Sequence, residues 1–156
     1  MGNAIDLRTR CFGTRPRSEV TVLAALLCLA MLTFADVEAS AETVDGRRIV
    51  IVDGDNIALG RERVRLLNID APESFRPRCE RELIAGLKAK ARLVELLRSG
   101  PVVITQTGED RYRRTLARVV AADRRDVGDT LVREGLALPW QSGREAKDAR
   151  GYHWCG

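Results

Sequence analysis

From residue 47 onward the chain alternates apolar and polar positions in short runs, a period of two that predicts β-strands. Arg47 to Val52 and Asn56 to Leu59 flank Asp53-Gly54, a dipeptide that readily takes the positive φ angles of a tight hairpin turn. Arg63 to Ile69 reads as a third strand, with Val64, Leu66 and Asn68 on one face and Arg65, Leu67 and Ile69 on the other. From Cys79 to Arg98 the period lengthens. Leu83, Leu87, Ala91, Val94 and Leu97 recur every three or four residues, the apolar stripe of an amphipathic helix that Ser99-Gly100-Pro101 stops. Val102 to Thr105 and Thr115 to Val120 return to strand character. Asp126 is placed to cap a short helix running to Glu134, with Gly135 as a left-handed terminator, and a last helical piece from Arg144 to Arg150 ends at Gly151. Five short strands with one helix inserted after the third predict an α+β fold, a small Greek-key barrel of the oligonucleotide-binding type (OB-fold) with about three helices.

The stretch before residue 42 follows a different rule. Arg8, Arg10, Arg15 and Arg17 precede an apolar run from Val20 to Ala35, 16 residues long, and Ala39-Ser40-Ala41 then supplies a small-x-small cleavage pattern. The run is shorter than the ~20 residues that cross a bilayer. The expected organisation is a cleaved secretion signal over 1–41 and one domain over 42–156, secreted or periplasmic and without stable membrane association after cleavage. Cys28 follows Leu27 rather than a small residue, which argues against a lipid anchor. No adjacent arginine pair opens the leader, so export of an unfolded chain is the simpler route.

Composition narrows the class. With 156 residues, 45% hydrophobic and 31% charged, disorder and a multi-pass membrane protein are excluded. The aromatic share of 4% leaves few rings for a carbohydrate cleft. The basic excess is mild, 26 Lys+Arg against 22 Asp+Glu, but only a minority of these are Lys, and guanidinium grips phosphate or carboxylate through two parallel hydrogen bonds. Export leaves Cys79 and Cys155 in an oxidising compartment, which invites one disulfide; two thiolates with the lone His153 are too few ligands for a closed zinc site.

Three short motifs carry candidate chemistry: Asp53-Gly54-Asp55, Asp70-Ala71-Pro72-Glu73, and Asp110-Arg111-Tyr112-Arg113-Arg114. Each alone also reads as a turn, a proline-fixed loop or a solvated charged hairpin. Together they place two aspartates at the ends of neighbouring strands, where carboxylates can share one hard cation, with Glu73 close enough to hold a water. Arg65 and Arg114 lie where both could clamp a phosphate. A metal, a base and two guanidiniums are the parts for hydrolysing a phosphodiester.

From Ile49 to Ala137, with a weaker tail to Trp154, the chain resembles the staphylococcal nuclease (thermonuclease) family. The likeness rests on Val52-Asp53-Gly54-Asp55, on Arg65 through Glu73 (Arg-Leu-Leu-Asn-Ile-Asp-Ala-Pro-Glu), on Asp110 through Ala117, and on Leu131 through Ala137. The resemblance implies a Ca²⁺-dependent nuclease on an OB-fold barrel that cuts DNA and RNA alike, and the expected form is a monomer acting on single-stranded or locally open strands. It implies that Asp55 and Asp70 bind calcium through carboxylates and Ala71 through its backbone carbonyl. Glu73 would be general base or water-positioner, Arg65 and Arg114 would hold the phosphate and stabilise its transition state, and Arg111 and Tyr112 would contact a terminal phosphate. Water would attack phosphorus and the 5′-oxygen would leave, giving 3′-phosphate products.

The chain also departs from the family pattern. Asn56 stands where Thr is usual, Ala71 where Thr is frequent, and Arg113 where Gly commonly precedes the second catalytic arginine. The tyrosines of the family's base pocket are missing, which leaves Trp140 as the nearest ring for base stacking. The final helix is expected to be short, with Trp154 as a core plug. A different class is also compatible with the pattern: an exported OB-fold binding or accessory module, for instance beside cell-surface polysaccharide assembly. Retention of Asp55, Asp70, Glu73, Arg65 and Arg114 favours the enzyme.

Overall fold

The computed structural model describes residues 40–156, so the expected leader lies outside the described residues except for its last two. Eight strands and three helices follow in order: β1 (Ala41–Asp45), β2 (Val50–Asp53), β3 (Asn56–Leu59), β4 (Glu62–Leu66), β5 (Ile69–Asp70), α1 (Glu80–Arg98), β6 (Pro101–Glu109), β7 (Thr115–Val120), α2 (Val127–Arg133), β8 (Leu138–Pro139) and α3 (Arg144–Cys155). Six strands form one mixed sheet in the order β1-β6-β7-β4-β3-β2, parallel only between β4 and β7, while β5 and β8 pair separately. The two edge strands of the large sheet, β1 and β2, are consecutive in the chain and joined through a 3-10 turn at Gly46–Arg48. The sheet therefore curls round upon itself, and the fold is the α+β, OB-type architecture expected. Among the described residues no helix is long and apolar enough to cross a membrane.

The first strand differs from its expected form. Gly46–Arg48 turn instead of extending, with Asp45 capping the turn by accepting from Arg47 N–H, and the strand resumes only at Val50. Before that turn, β1 pairs with β6 from Ala41↔Thr105 onward, and the Ser40 carbonyl accepts from Gln106 N–H. The expected cleavage after Ala41 thus falls at the first residue of a paired strand. The third expected strand breaks at Leu67-Asn68, where Asn68 takes φ 63°, a left-handed conformation that Asn tolerates better than most residues. The break releases β5 from the large sheet and lets it pair with β8. The detour takes Asp70 out of the large sheet's hydrogen-bonding ladder.

The core is aliphatic: Ile57, Val64, Leu66, Leu93, Leu97, Val102, Ile104, Val119 and Leu131 are all buried within it. The face that α1 buries is not the expected stripe. Glu82, Gly86, Ala89, Leu93, Leu96 and Leu97 are buried, whereas Leu87 is exposed, and Ala91 faces solvent. Small residues decide this. A Cβ on Gly86 would lie 2.8 Å from the Pro72 and Glu73 carbonyl oxygens, so α1 presses its backbone against the Asp-Ala-Pro-Glu loop. Gly54 belongs to the same contact. It lacks the positive φ expected of its turn, and a Cβ there would lie 2.7 Å from that of Ala71 and 2.9 Å from that of Ala89.

Both ends of α2 are as expected: Asp126 caps it by accepting from Asp129 N–H, and Gly135 follows it at φ 70°. The last helix does not stop at Gly151 but continues to Cys155. That glycine makes room for a side chain, since a Cβ on it would collide with the Arg78 guanidinium. Trp154 is 9% exposed and plugs the gap beneath α3. Cys79, which caps α1, is bonded to Cys155 with the two Cα atoms 5.9 Å apart.

Candidate active site

Register places the polar groups side by side. In the antiparallel pair of β3 and β4, Asn56 lies opposite Arg65, and in the parallel pair of β4 and β7, Arg65 lies opposite Leu116. The turn before β3 (Asp53, Asp55), the middle of β4 (Arg65) and the residue leading into β7 (Arg114) therefore share one end of the sheet. The β5 detour returns Asp70 to it, and the loop from Ala71 to Ser74 follows.

Arg65 joins the two aspartates. One of its terminal nitrogens lies 2.9 Å from Asp55 Oδ2 and the other 2.8 Å from Asp70 Oδ1. It also donates to the Ile69 carbonyl at 3.3 Å. Asp55 is 4% exposed, and it accepts from Ala71 N–H at 3.2 Å and from Asn56 Nδ2 at 2.5 Å. Burial pushes its carboxyl up to about 6, against the pull of Arg65 and the Ala71 N–H. Glu73 is pushed up to about 7, first by burial and then by the charges of Asp53 and Asp55. Asp53 is itself held by Ser74, whose hydroxyl donates at 2.7 Å, so the residue after Glu73 is pinned to the turn that carries Asp55.

Arg114 is aimed by Asp110. The Asp110 carboxylate accepts from Arg114 Nε at 2.8 Å and from Nη2 at 2.7 Å, and it also takes the backbone N–H groups of Arg114 and Tyr112. Although desolvation works to raise Asp110, these hydrogen bonds hold it below the usual carboxylate range. The remaining guanidinium nitrogen donates to Asn56 Oδ1 at 2.9 Å. Asn56 thus bridges Asp55 and Arg114, a role that its amide, with a donor and an acceptor at opposite corners, fills in one side chain. Arg113 adopts φ 61°, so the left-handed turn is kept with an arginine in the glycine position and Arg114 still reaches inward.

The other expected residues lie further out. Arg111 and Arg114 stack on the exposed Tyr112 ring at 4.8 and 5.5 Å. Trp140 is exposed just after β8, where its backbone N–H donates to the Asn68 carbonyl at 2.8 Å. Ala71 enters the site through its N–H on Asp55, and its Cβ packs against Gly54.

Three participants were not foreseen. Asp110 stood within a motif but without a role. Phe75, 80% exposed, follows the Glu73-Ser74 pair, with the Arg76 guanidinium 5.7 Å from its ring centre. Arg150, from α3, places Nε 2.5 Å from Asp70 Oδ2. Asp110 could have been found from its spacing, four residues before an arginine across a tight turn. Nothing in the sequence around Arg150 points 80 residues back to Asp70.

The chemistry of these donors suits a hard cation. Two carboxylates already meet at a single positive group, Arg65, and all the charged acceptors are oxygens. Among the described residues, no cluster of three or more Asp, Glu, His or Cys side chains converges on one point, so Asp55 and Asp70 would need backbone carbonyl and water oxygens to complete a coordination shell.

These residues sit on an OB-type barrel, with one arginine clamped between two aspartates and a second arginine held alongside. The sequence model of the family described as staphylococcal nuclease homologue matches residues 63–152. The chain is 33% identical over 148 residues to a micrococcal nuclease of Shigella flexneri, covering 86% of this chain and 80% of that protein. It is 34% identical over 119 residues to the succinoglycan biosynthesis protein ExoI of Rhizobium meliloti (strain 1021), covering 70% of this chain and 59% of that protein. An uncharacterized endonuclease of Haemophilus influenzae is 33% identical over 122 residues, 74% of this chain and 64% of its own. The chain therefore spans under two thirds of the length of the latter two relatives. It belongs to the staphylococcal nuclease homologue family.

Proposed function

We propose that this protein is an exported, calcium-dependent nuclease that hydrolyses phosphodiester bonds of DNA and RNA. The observation that carries the reading is the Asp55–Arg65–Asp70 bridge, with Glu73 and Arg114 beside it. Asp55, Asp70 and the Ala71 carbonyl would hold Ca²⁺, which when bound would supply positive charge for the phosphate and for the water that attacks it. The chain's own residues do the rest. Arg65, oriented by Asp55 and Asp70, and Arg114, oriented by Asp110, bring two guanidinium charges to the site, where they stabilise the charge that grows on a phosphate. Glu73, with its raised proton affinity, is suited to take a proton from a water near neutral pH, since the most effective base has a pKa near the working pH. That proton ends on the Glu73 carboxyl, the new oxygen–phosphorus bond forms, and the 5′-oxygen leaves with a proton from solvent.

Aromatic placement supports an open strand as substrate. Among the described residues Phe75, Tyr112, Trp140 and Tyr152 are exposed while Trp154 is buried, and an exposed ring with guanidiniums over it, as Tyr112 has in Arg111 and Arg114, is a stacking platform for unpaired bases. Trp140 stands in for the missing base-pocket tyrosines, and Arg111 with Tyr112 faces a terminal phosphate. Export rests on the leader over 1–41 and fits the Cys79–Cys155 disulfide. The second reading, an accessory module for cell-surface polysaccharide, is favoured by the name of the Rhizobium relative. One assay separates them. Purified protein lacking the leader should cut single-stranded DNA to 3′-phosphate products with Ca²⁺ and stop in chelator. No cleavage at millimolar Ca²⁺ would leave the accessory module standing.

A further inference from the structure

Asp70 has both of its oxygens taken by guanidiniums. Arg65 lies 2.8 Å from Oδ1 and Arg150 2.5 Å from Oδ2. The two arginines are held very differently. Arg65 rises from β4 inside the barrel and has three anchors, Asp55, Asp70 and the Ile69 carbonyl. Arg150 comes from α3, is 16% exposed, and among the described residues its one hydrogen bond besides the Asp70 pair goes to the Gln141 carbonyl at 3.0 Å. α3 in turn is tied down near its end, by Cys79–Cys155, by the Arg81 hydrogen bond to the Gly156 carbonyl, and by Trp154.

A divalent ion on Asp70 cannot share it freely with two positive groups. Like charges a few ångströms apart in a partly desolvated pocket repel strongly, and the less anchored one withdraws. We propose that Arg150 competes with the divalent cation for Asp70, so that α3 presents a built-in cation that sets how much free calcium the site needs. This rests on the metal-binding reading of Asp55 and Asp70 given above. Arg150 is then a positioning residue: it orients the Asp70 carboxylate, and on calcium binding it is displaced.

The sign of the effect makes the idea testable, because losing a merely structural ion pair loosens a binding site, whereas losing a competitor tightens it. Isothermal titration of the whole exported chain with CaCl₂ compares wild type, Arg150→Gln and Arg150→Lys. Arg150→Gln should bind calcium about tenfold more tightly, given a unit charge removed from beside the ion at an effective dielectric constant between protein and water. Arg150→Lys retains the charge and should stay within about threefold of wild type. Wild-type or weaker affinity in Arg150→Gln overturns the proposal while leaving the metal site itself intact. Binding in Arg150→Gln but not in wild type supports it. Absence of binding in both overturns the metal reading and this proposal with it. A measurement that needs no variant runs alongside: in wild type labelled with ¹⁵N-arginine, calcium should shift the Arg150 Nε–H resonance and speed its exchange with solvent, and an unmoved resonance at saturating calcium overturns the displacement.

Discussion

Reducing the Cys79–Cys155 bond should weaken the protein by several kcal/mol and free its C-terminal end first. The bond joins residues 76 apart, and chain-entropy arguments for a loop of that length give about 4.5 kcal/mol at room temperature, an upper figure because unfolded chains keep some compactness. For a domain of this size each kcal/mol moves the melting temperature by about 4 °C, so loss of the bond should lower it by up to roughly 18 °C. The geometry also says where the loss is felt. Without the bond α3 keeps one buried side chain, Trp154, whose indole N–H has no partner, together with the Arg150–Asp70 pair and the Arg81 contact to the terminal carbonyl. The barrel core does not depend on α3. Thermal melts with and without a non-thiol reductant measure the global term, and amide exchange followed by mass spectrometry resolves the order of opening. Residues 144–155 should exchange faster on reduction while β3, β4 and β7 keep their protection. A shift under about 3 °C, or uniform acceleration across the barrel, would refute the reasoning.

Glu73→Gln keeps the shape of the loop but removes the base, and kcat should fall about 10²–10⁴-fold with the melting temperature little changed, as single-turnover cleavage and a thermal melt would show. Asp110→Asn should impair phosphate handling through Arg114, raising KM for oligonucleotide more than Arg111→Ala does, since it removes an ionised partner on two guanidinium nitrogens. Gly86→Ala forces a Cβ to within 2.8 Å of the Pro72 and Glu73 carbonyls, so it should cost about 1–3 kcal/mol in denaturant melts and lower kcat by displacing Glu73; a fully active variant would contradict the close packing of α1 on that loop. The raised Asp55 and Glu73 carboxyls hold protons more tightly folded than unfolded, so their contribution to the stability of the calcium-free protein is greatest below about pH 4 and falls as pH rises toward 7. Neutralising Asp55 as Asn should flatten that decline in melts taken across the range.

Local chemistry was legible where the deciding interactions are local. The period-two runs placed β3 and β7, the Asp126 cap and Gly135 bounded α2, and the three acidic and basic motifs named most of the candidate site. The residues of those motifs converge because neighbouring strands carry them to one end of the sheet, and strand pairing follows from patterns a few residues long. Packing was not legible. A glycine in Asp-Gly reads as a turn former, yet Gly54 is there because Ala71 and Ala89 leave no room for a side chain, and Gly151 reads as a helix terminator although it clears space for Arg78. The N-terminal half of the buried face of α1 is set by Gly86 and Ala89 rather than by Leu83 and Leu87, because close approach to the Glu73 loop requires small residues there, while Leu93, Leu96 and Leu97 fill the core further along. β1 was hidden at the boundary of the expected leader, and its pairing with β6 is a long-range contact. So is the link between Arg150 and Asp70. The sequence alone determined which groups could do the chemistry; tertiary structure decided which carboxylate each arginine holds, since that depends on where distant segments come to lie rather than on any spacing along the chain.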